Sequence, residues 1–564
     1  MADVVSPHSD SMDTGVLIVG SGPSGLTLAI ELARRQIPYL LIDKASQRPT
    51  SSRALGTQAR TIETFQIMNI PLAELAPAIA PRHFRLAERE RTLARVPIPP
   101  QPSGAPSLIV MDQADTERVL EARLFELGGQ TRRGVELVAF TQSREDVIST
   151  LHGPDGEHQV RSRFLVGADG AHSVVRRQAG IDFIGAAYPE RFLLADVDLD
   201  WDLAHDEGQI WIGDDGLVAA IPLPQPRRFR LIIPLPPEEI AREFTSELDV
   251  ANRAEELLRD RTRIRLSRLG DPIWASSFRL SRRQAASYRK GRVFLAGDAA
   301  HVHSPVGGQG MNMGIQDAFN LGWKLALAVQ GLAAPGLLDT YQAERHPVAA
   351  GVLRGTHLGT RIVLARNPIV RTLRERLVPA LTSTPLVQQQ LFSSVSQLGI
   401  AYPDSPLSVN TGAQPASRNP LQRGPRGLHP GDRVPDVQLL TQGDRSPLQL
   451  FDLVRQGWLL LLLPGDEPSL ERMAELEALA NQVRHMVGKQ VQPYLVLPPG
   501  AATDSPLAPV LIDVVGELAR LFAADRGQAV LIRPDGYLGY RGRPDQQLEL
   551  ASYLARVYAM KLAR

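Results

Sequence analysis

The sequence predicts an α/β fold in which a parallel sheet covered by helices is interrupted by a mostly antiparallel sheet and followed by a smaller α/β unit. Three observations support it. A glycine-rich turn joins a short apolar strand to an amphipathic helix near the start of the chain, polar and apolar residues alternate between 188 and 281, and strands and helices alternate again after 437. We therefore divide the chain into a discontinuous first domain (1–187 and 282–400), an inserted sheet domain (188–281), a linker (401–436) and a C-terminal domain (437–564).

The composition excludes several classes of function. The 564 residues carry a net charge of +1, which does not indicate a nucleic-acid or membrane partner. The chain has no cysteine, so disulfides and thiolate sites are excluded and any redox chemistry needs a bound cofactor. The N-terminus does not have the pattern of a signal peptide, and the longest apolar run, Trp458–Leu463, is too short to span a bilayer. We expect a soluble, cytoplasmic protein.

The first predicted strand ends in a phosphate-binding pattern. Gly20, Gly22 and Gly25 have the spacing G-x-G-x-x-G between that strand and a helix, and the next strand ends in Asp43. In this order the first glycine makes the turn, the second lets the backbone approach a pyrophosphate, and the third lets the helix pack on the strand. The acid binds a ribose hydroxyl. A glycine-rich turn in an unrelated α/β unit is the alternative.

Two later strands end in a related way. One ends in Asp169-Gly170, and another runs into residues 297–312, a stretch with a proline and several glycines that opens a helix reaching residue 330. Asp169 is either a helix-capping acid or an acid held near a dinucleotide, because strands ending in acids gather on one edge of such a sheet. The stretch 297–312 is suited to bring backbone N–H groups close to a flat or anionic ligand.

The inserted region 188–281 is predicted to form a wall of the substrate site, since a sheet that interrupts a nucleotide-binding domain borders its cleft. Within it only 237–259 has a helical pattern. Apolar residues at alternating positions are candidates for the side facing a ligand: Leu193, Ile210, Ile212, Leu217 and Ile221. The arginines of this region are expected on solvated faces: Arg227, Arg228, Arg230 and Arg279.

Further elements are predicted on either side of the inserted region. One helix spans 57–68, and another begins near Met111 with Asp112 as its cap, followed by Gln113, to which the sequence alone assigns no role. The C-terminal domain has the order β-α-β-α-β-β-α, which suggests a thioredoxin-like fold. Without cysteine this domain can perform no dithiol chemistry, so we expect it to serve packing or oligomerisation, for example in a homodimer.

The three motifs in this order resemble those of the single-component FAD-dependent aromatic monooxygenases, the para-hydroxybenzoate hydroxylase superfamily. The motifs are Gly20-x-Gly22-x-x-Gly25 with Asp43, then Asp169-Gly170, then the stretch 297–312 with its Gly-Asp-Ala-Ala-His start. The chain is most similar to phenol hydroxylases and polyketide hydroxylases, which have a thioredoxin-like C-terminal domain. The resemblance implies a Rossmann-like FAD-binding domain of the glutathione-reductase type with an inserted substrate sheet.

The resemblance also implies which residues bind FAD. On the adenosine side it assigns the pyrophosphate and the ribose to residues around the first turn: Gly20, Gly22, Ser24, Gly25, Asp43 and Lys44. It implies that Arg53 reaches the FAD after the second strand and that Gln113 contacts the flavin. It also implies that Asp169 with Gly170 forms a fingerprint tied to both FAD and the nicotinamide cofactor.

On the flavin side the resemblance assigns contacts to the stretch 297–312. Asp298 would bind the ribityl chain or the pyrophosphate, Pro305 would lie against the isoalloxazine, and Gly310, Met311 and Asn312 would contact its pyrimidine edge. A helix N-terminus also favours the negative charge of reduced flavin, which supports this assignment independently.

The implied reaction is hydroxylation of a phenolic or polycyclic polyketide-like substrate. NADPH or NADH reduces FAD, O2 forms a flavin C4a-hydroperoxide, and its distal oxygen passes to an aromatic carbon. The protein positions the substrate, excludes water and moves the flavin. No side chain is assigned as a catalytic residue; the backbone of Pro305 and Gly310 is expected near the flavin.

Several alternatives stay open on the same fold. They are a Baeyer–Villiger-like oxygenase, an antibiotic-inactivating hydroxylase, a flavin reductase or halogenase, and a non-catalytic flavin-binding scaffold. The halogenase is disfavoured because no Trp-x-Trp motif is present. His301 and His303 have a spacing that a metal could use, but without a third ligand nearby we expect no metal and interpret His301 as a structural or flavin-adjacent hydrogen bonder.

Overall fold

The computed structural model describes residues 12–48, 54–213, 216–265, 268–269, 272–303, 308–363, 384, 392, 395–412, 427–466, 469–501 and 508–559. Arg53 and Pro305, two of the predicted FAD contacts, lie outside these residues, as do most of the helices predicted between 364 and 396. Among the described residues, no helix combines the length and the apolar character that a bilayer crossing requires.

The first part of the chain forms most of a parallel sheet and its helices. In order, its elements are β1 Met12–Val19, α1 Pro23–Ala33, β2 Tyr39–Asp43, β3 Gly56–Gln58, α2 Ala59–Ile67, β4 His83–Glu88, β5 Arg91–Pro97, β6 Leu108–Val110, α3 Gln113–Glu126, β7 Thr131–Arg133, β8 Glu136–Gln142, β9 Val147–Gly153, β10 Gly156–Gly167 and α4 Val174–Gln178.

The middle part holds a second sheet and returns to the first. Its elements are β11 Phe183–Asp200, β12 Glu207–Gly213, β13 Gly216–Pro222, β14 Arg228–Pro234, α5 Glu247–Thr262, β15 Arg268–Leu269, β16 Trp274–Ala285, β17 Arg289–Lys290, β18 Val293–Leu295, β19 His301–Val302, α6 Gly310–Val329 and α7 Asp339–Val363.

The last part forms a third sheet with its own helices. Its elements are β20 Val409–Asn410, β21 Gln438–Thr441, β22 Pro447–Gln449, α8 Leu450–Val454, β23 Trp458–Leu463, α9 Leu470–Val487, β24 Val491–Leu497, β25 Val510–Ile512, α10 Glu517–Phe522, β26 Gln528–Ile532, β27 Leu538–Gly542 and α11 Gln547–Val557. Short 3₁₀ turns occur at Leu72–Leu75, Pro237–Glu239, Gly297–Ala299 and Gly488–Gln490.

The first sheet has the strand order β17-β18-β10-β1-β2-β7, and its central pairs are parallel. The strand β1 is buried on both faces, and Val16, Leu17 and Ile18 are all inaccessible to solvent, as a continuous apolar run in a parallel sheet requires. The helix α6 is also almost entirely buried and packs closely on α1, where a side chain at Gly322 would meet Glu31. These contacts fix α6 against α1.

The second sheet has the order β19-β16-β11-β14-β13-β12-β4-β5 and is antiparallel except where β12 meets β4. It therefore includes β4 and β5 from residues 83–97, and β19 from within the stretch 297–312, in addition to strands of the region 188–281. The helix α5 covers one face of this sheet. Because β19 belongs to the second sheet and β18 to the first, the stretch 297–312 physically joins the two.

The structure corrects one predicted helix start and one predicted helix cap. The helix predicted over 237–259 begins at Glu247, because the Ser246 hydroxyl accepts a hydrogen bond from the Asp249 amide and the prolines before it form only a 3₁₀ turn. The helix α3 begins after Asp112, as predicted, but the Asp112 carboxylate makes no capping hydrogen bond. That carboxylate lies near Arg230 instead, with its Oδ1 3.5 Å from Nη2.

The third sheet has the order β20-β27-β26-β23-β24-β25-β21-β22. Its strands β23 and β24 are parallel, β26 is antiparallel to β23, and β26 and β27 form a hairpin. This is the thioredoxin-like arrangement that the sequence predicted. The short strands β20, β21, β22 and β25 were not predicted, because two to four residues carry too little periodicity. Residues of the sheet and of the first domain share one continuous apolar core.

Asp436, just before β21, gives a prediction for the stability of this domain. Its Oδ1 accepts a hydrogen bond from the Phe451 amide at 3.0 Å, yet burial raises the pKa of Asp436 to about 6. When an acid has a higher pKa in the folded than in the unfolded state, its contribution to stability is fully present at pH values below the pKa of the unfolded state. Asp436 loses this contribution as the pH rises through about 6. We therefore expect Asp436→Asn to raise the free energy of unfolding at pH 7 to 8 by at most about 3 kcal/mol, and with it the unfolding temperature, and to have little effect near pH 4.

The matched control is Asp444→Asn. The hydroxyls of Thr441 and Ser446 lower the pKa of the exposed Asp444 to about 2, so that this substitution should not stabilise the protein at pH 7. Thermal scans of both variants across the pH range measure the difference. A gain for Asp436→Asn that is equally large at pH 4 and pH 8 would contradict the assignment.

Candidate functional site

Three strand ends meet at one edge of the first sheet. In the register of the sheet, Val19 at the end of β1 lies beside Gly167 of β10 and Ile42 of β2, and Gly167 lies beside Leu295 of β18. The motifs that follow these strands, at Gly20, Asp169 and Gly297, are therefore neighbours, as the sequence predicted. The carboxyl ends of parallel strands are where ligands bind in open α/β sheets.

The three glycines of the first turn have different surroundings. Gly20 has φ +102°, and a Cβ there would lie 2.3 Å from the carbonyl oxygen of Ala168. A Cβ at Gly25 would lie 1.9 Å from the carbonyl oxygen of Gly20, whereas at Gly22 no described atom lies within 4 Å. Gly20 and Gly25 are thus needed for close packing, while Gly22 faces open space at the N-terminus of α1, which suits a pyrophosphate.

Ser24 joins the first and third motifs. Side chains at Gly297 and at Gly314 would come within 2.4 Å and 2.3 Å of its hydroxyl oxygen. The hydroxyl is therefore enclosed between the start of the stretch 297–312 and α6 and does not point into the open space at Gly22. We conclude that the Ser24 side chain positions the two motifs, and that the backbone is what it offers to a ligand.

Asp43 holds the glycine-rich turn in place. Its Oδ2 accepts hydrogen bonds from the Ser21 amide at 2.8 Å and the Ser21 hydroxyl at 2.9 Å, and its Oδ1 accepts one from the Ala45 amide. A carboxylate has further lone pairs, so these bonds are compatible with the predicted contact to a ribose. Lys44 beside it is exposed.

The sequence predicts that Asp169 is either a helix-capping acid or an acid held near a dinucleotide, and its two oxygens have surroundings that suit both. Its Oδ2 accepts hydrogen bonds from the amides of Val174 and Val175, at 2.7 Å and 3.2 Å, and thus caps α4. Its Oδ1 is buried and has no hydrogen-bond partner among the described residues. A buried carboxylate oxygen without a donor is costly, and a ligand donor at this edge would satisfy it.

Arg176 connects the second and third motifs, a role that no sequence pattern indicated. Its two terminal nitrogens donate to the carbonyl oxygens of Ala299 and Ala171, each at 2.8 Å. The guanidinium also lies over the ring of Phe183, 3.8 Å from its centroid. The arginine thereby fixes the 3₁₀ turn that carries the exposed Asp298 against the loop that follows Gly170.

The end of the stretch 297–312 is held by Asn312. Its Oδ1 accepts from the Gln58 amide at 2.9 Å, and its Nδ2 donates to the carbonyl oxygens of Gly56 and Gly308, at 2.7 Å and 2.9 Å. The bonds to Gly56 and Gln58 tie the start of α6 to β3, and the bond to Gly308 closes the turn before the helix. The Asn312 side chain is therefore used within the protein, and the groups that this end of α6 offers to a ligand are the backbone N–H groups of Gly310, Met311 and Asn312, which have no intrahelical acceptor.

A buried cluster of charged side chains holds the stretch 297–312 through Gly297 and His301. Asp317 on α6 accepts hydrogen bonds from His301 at 2.7 Å and Arg345 at 2.7 Å, and from the Gly297 amide at 3.2 Å. Burial alone would raise the pKa of Asp317, but Arg345 and His301 hold it below its usual value, so the carboxylate stays charged. His301 is accordingly a structural hydrogen bonder, as predicted. Asp317 and Arg345 were missed, because their distance along the chain leaves no local pattern.

Gln113 stands at the first position of α3. Its Nε2 donates to Glu117 Oε1 at 2.8 Å, one helical turn further on. Glu117 is itself buried, and burial raises the pKa of this acid. The structure therefore gives Gln113 a fixed orientation at a helix N-terminus, and its contact with the flavin stays a prediction.

The second sheet has one covered and one open face. Leu193 lies on the face covered by α5, in a cluster with Val197 and Leu231, so its prediction as a ligand-facing residue is wrong. The physical reason is parity, because a shift of one residue moves a side chain to the other face. The four other candidates are half-buried and share the opposite face: Ile210, Ile212, Leu217 and Ile221.

That open face also contains a buried arginine. Arg230 lies opposite Ile221 in the register of β14 and β13, and is 1% exposed. Its expected place on a solvated face is therefore wrong. It forms two hydrogen bonds of 2.6 Å with Asp196 on β11, which balances its charge.

The residues at the edge of the first sheet fit FAD. The open space at Gly22, the unsatisfied Asp169 Oδ1 and the N-termini of α1 and α6 offer a cradle for a dinucleotide with anionic and flat parts. The open apolar face of the second sheet is joined to this edge through β19. β19 thus places this face of the second sheet next to the strand ends of the first.

Comparison with known proteins gives matches along the whole chain. Residues 13–356 match the family model of an FAD-binding domain, and residues 428–560 match that of the C-terminal domain of aromatic-ring hydroxylases. The chain is 35% identical to 6-methylpretetramide 4-monooxygenase from Streptomyces rimosus, over 97% of this chain and 93% of that protein. It is 34% identical to pentachlorophenol 4-monooxygenase from Sphingobium chlorophenolicum, over 96% of both.

A solved structure with the same architecture is that of aklavinone-11 hydroxylase in a ternary complex with FAD and aklavinone. It has a TM-score of 0.74 and 28% sequence identity, and the match covers 97% of this chain and 99% of that one. The fold is thus shared along the length of both chains.

Proposed function

The chain belongs to the family of FAD-dependent aromatic-ring hydroxylases, and from this premise we propose that it hydroxylates a phenolic or polycyclic polyketide-like substrate, using O2 and either NADPH or NADH. The observation that carries the proposal is the meeting of three strand-end motifs and the α6 N-terminus beside an open apolar sheet face. The names of its relatives give 6-methylpretetramide and pentachlorophenol as substrates, and the similar solved structure contains aklavinone.

We propose that the chain holds FAD along the edge of the first sheet. The backbone at Gly20, Gly22, Ser24 and Gly25 would bind the pyrophosphate at the start of α1. The other contacts proposed for FAD are those predicted from the sequence: Asp43 and Lys44 at the ribose, and Arg53, Gln113, Asp169, Gly170, Asp298, Pro305, Gly310, Met311 and Asn312 along the rest of the cofactor. Asp169 is supported by its unsatisfied Oδ1.

Bound FAD supplies the redox chemistry and the activation of O2. The residues of the chain supply the environment for it. The N–H groups that open α6 stabilise negative charge at the flavin edge, and Asp317 keeps the preceding turn fixed through Gly297 and His301. The half-buried apolar side chains of the second sheet, such as Ile210 and Ile221, exclude water from the space where the ring is held.

The proposed nicotinamide co-substrate follows from the electron balance. One oxygen atom of O2 enters the substrate and the other leaves as water, which requires two electrons beyond those of the ring C–H bond. A flavin enzyme without cysteine has no dithiol donor of its own, and we propose that a diffusible hydride donor supplies these electrons. NADPH and NADH both meet this requirement.

The test uses purified holoenzyme with NADPH or NADH, with and without phenol, naphthol and fused-ring polyketide probes. We expect at least one probe to accelerate nicotinamide oxidation and to gain one oxygen atom in mass spectrometry, with the label of ¹⁸O2 retained in the product. Oxidation that no probe stimulates, with no labelled product, would overturn the proposal in favour of a flavin-binding scaffold. A labelled lactone or ester would indicate the Baeyer–Villiger alternative.

A further inference from the structure

The open face of the second sheet contains an arginine with an unused donor. Two of the three guanidinium nitrogens of Arg230 donate to Asp196, each at 2.6 Å. The third, Nη1, is buried and has no hydrogen-bond partner among the described residues. The guanidinium also lies over the ring of Trp274, 5.2 Å from its centroid. A buried cationic donor without an acceptor is costly to the protein alone. An acceptor supplied by a bound molecule would remove this cost.

The matching acceptor is Asp112. Its Oδ1 lies 3.5 Å from Nη2 of Arg230, too far for a good hydrogen bond, and is itself buried with no donor among the described residues. Asp112 immediately precedes Gln113, the residue expected to contact the flavin, and makes no capping bond to α3. An unused donor and an unused acceptor therefore belong to two neighbouring side chains.

The surroundings of this pair connect it to the proposed cofactor site. Asp112 follows β6, which pairs with β3, and Asn312 ties β3 to the start of α6. Ile221, which lies opposite Arg230, packs against apolar residues of β6 and the loop before β3, Val110 and Leu55. The pair thus lies between the open sheet face and the strand that supports the N-terminus of α6.

A hydroxyl group fits this pair better than other substituents. A phenolic or enolic hydroxyl donates one hydrogen bond and accepts others, so it satisfies both Asp112 Oδ1 and Arg230 Nη1. An ether oxygen would leave Asp112 without a donor. A carboxylate would be repelled, because the cluster of Arg230, Asp196 and Asp112 contains one cation and two carboxylates.

We infer that Asp112 and Arg230 together bind a hydroxyl of the aromatic substrate, Asp112 accepting its hydrogen bond and Arg230 donating to its oxygen, and that they thereby select neutral hydroxylated rings over carboxylated ones. The inference rests on the proposed function and specifies its substrate class. Burial raises the pKa of Asp112 although Arg230 opposes this, which makes its carboxylate a stronger hydrogen-bond acceptor than an exposed one. Asp112 is therefore a substrate-binding residue, and Asp196 a positioning residue that orients Arg230.

Binding measurements on the FAD-loaded enzyme test this without turnover. The probes are 2-naphthol, its ether 2-methoxynaphthalene and 2-naphthoate, and the readout is the change in flavin absorbance or the heat of binding during titration. We expect the enzyme to bind 2-naphthol more tightly than the ether. Asp112→Ala should lower the affinity for 2-naphthol by about 10- to 100-fold, which is the effect of one lost hydrogen bond to a charged group. The affinity for the ether should change little. The same variant should bind 2-naphthoate better than the wild type does.

The matched control is Asp115→Asn, which removes a carboxylate from the same helical turn, where it pairs with Arg118. It should leave all three affinities unchanged. Asp112→Asn provides a second variant with a side chain of nearly unchanged shape. It should lower the affinity for 2-naphthol less than Asp112→Ala does. Equal affinity of the wild type for 2-naphthol and the ether would mean that only a water molecule fills the pair, and would overturn the inference.

The outcome is separable from that of the proposed function. If the enzyme hydroxylates naphthol with labelled oxygen but Asp112→Ala does not change the preference for 2-naphthol over its ether, the inference fails and the function stands. If the preference depends on Asp112 but no probe is ever oxygenated, the proposed function fails while the hydroxyl-binding pair stands.

Discussion

Replacing Gly22 with alanine is expected to give a protein that folds but purifies with little or no flavin. The reason is that the position is open in the protein itself. Gly22 has φ −71° and ψ −176°, which any residue adopts, and no described atom lies within 4 Å of a Cβ placed there. A methyl group would instead occupy the side from which a pyrophosphate approaches the backbone. Two lost charge-assisted hydrogen bonds would weaken FAD binding by roughly 100-fold or more.

The measurement is the ratio of flavin to protein in the purified variant, together with its unfolding midpoint after FAD has been removed from both proteins. Gly351→Ala is the matched control, since Gly351 is exposed on α7 and also has no described atom within 4 Å of its Cβ position. The control should retain full flavin. If Gly22→Ala bound FAD as tightly as the control, the pyrophosphate would have to lie elsewhere. Gly20→Ala would not serve, because the clash with Ala168 would disturb the fold itself.

The parts of the site that the sequence predicted are those with local causes. The turn at Gly20, the end of β2 at Asp43 and the opening of α6 each depend on a few consecutive residues, whose backbone requirements are visible in the chain. Asp169 shows the limit of this kind of argument. Its two interpretations, a cap and a ligand-facing acid, proved compatible because its two oxygens have different surroundings. The sequence identifies Asp169 as a candidate but does not show what each of its two carboxylate oxygens faces.

The parts that the sequence did not predict depend on contacts between distant segments. Leu193 and Ile221 have the same apolar character, and only the register of the strands places them on opposite faces of the sheet. Arg230 is one of several arginines on such strands, and its burial follows from Asp196 on a neighbouring strand and Asp112 far upstream. Periodicity cannot show these pairings, because it describes each strand by itself.

The same is true of the joint between the C-terminal domain and the helices behind the cleft. The turn after β26 brings Arg533 and Asp535 into contact with α6 and α7. Glu344 on α7 is the centre of this cluster. It accepts hydrogen bonds from Arg533 at 2.6 Å and 2.8 Å, and from Lys324 and Asn320 at 2.7 Å each. We name these buried residues the Glu344 cluster: Asn320, Lys324, Glu344, Arg533 and Asp535.

Replacing Glu344 with alanine is expected to destabilise the protein by about 3–5 kcal/mol. The side chains of Glu344, Lys324 and Arg533 are completely inaccessible to solvent, so the substitution leaves two buried cations with only Asp535 to compensate them. Burial by itself would raise the pKa of Glu344, but Arg533 and Lys324 hold it well below its usual value. An acid whose pKa is lowered by folding stabilises the fold at every pH above its pKa in the unfolded state. The loss of stability in the variant should therefore be present across neutral pH.

The measurement is the midpoint of thermal or urea unfolding, compared as a midpoint because a chain of several domains need not unfold in one step. Glu255→Ala is the control, since Glu255 forms a surface pair with Arg259 at 2.7 Å, and such pairs contribute at most about 1 kcal/mol. Adding Lys324→Met to Glu344→Ala should recover part of the loss, because it removes one of the two uncompensated cations. Absence of that recovery would show that lost packing, and not buried charge, explains the destabilisation.

The position of the Glu344 cluster makes a second consequence of the same substitution measurable. Lys324 and Asn320 belong to α6, whose first turn carries the N–H groups assigned to the flavin edge. If the C-terminal domain holds α6 through these residues, Glu344→Ala should release FAD at a lower temperature than the one at which the rest of the fold unfolds, and Glu255→Ala should not separate the two events. Loss of FAD only together with global unfolding would mean that the first domain positions α6 by itself. The cysteine-free thioredoxin-like domain would then serve the stability of the chain without contributing to the geometry of the cleft.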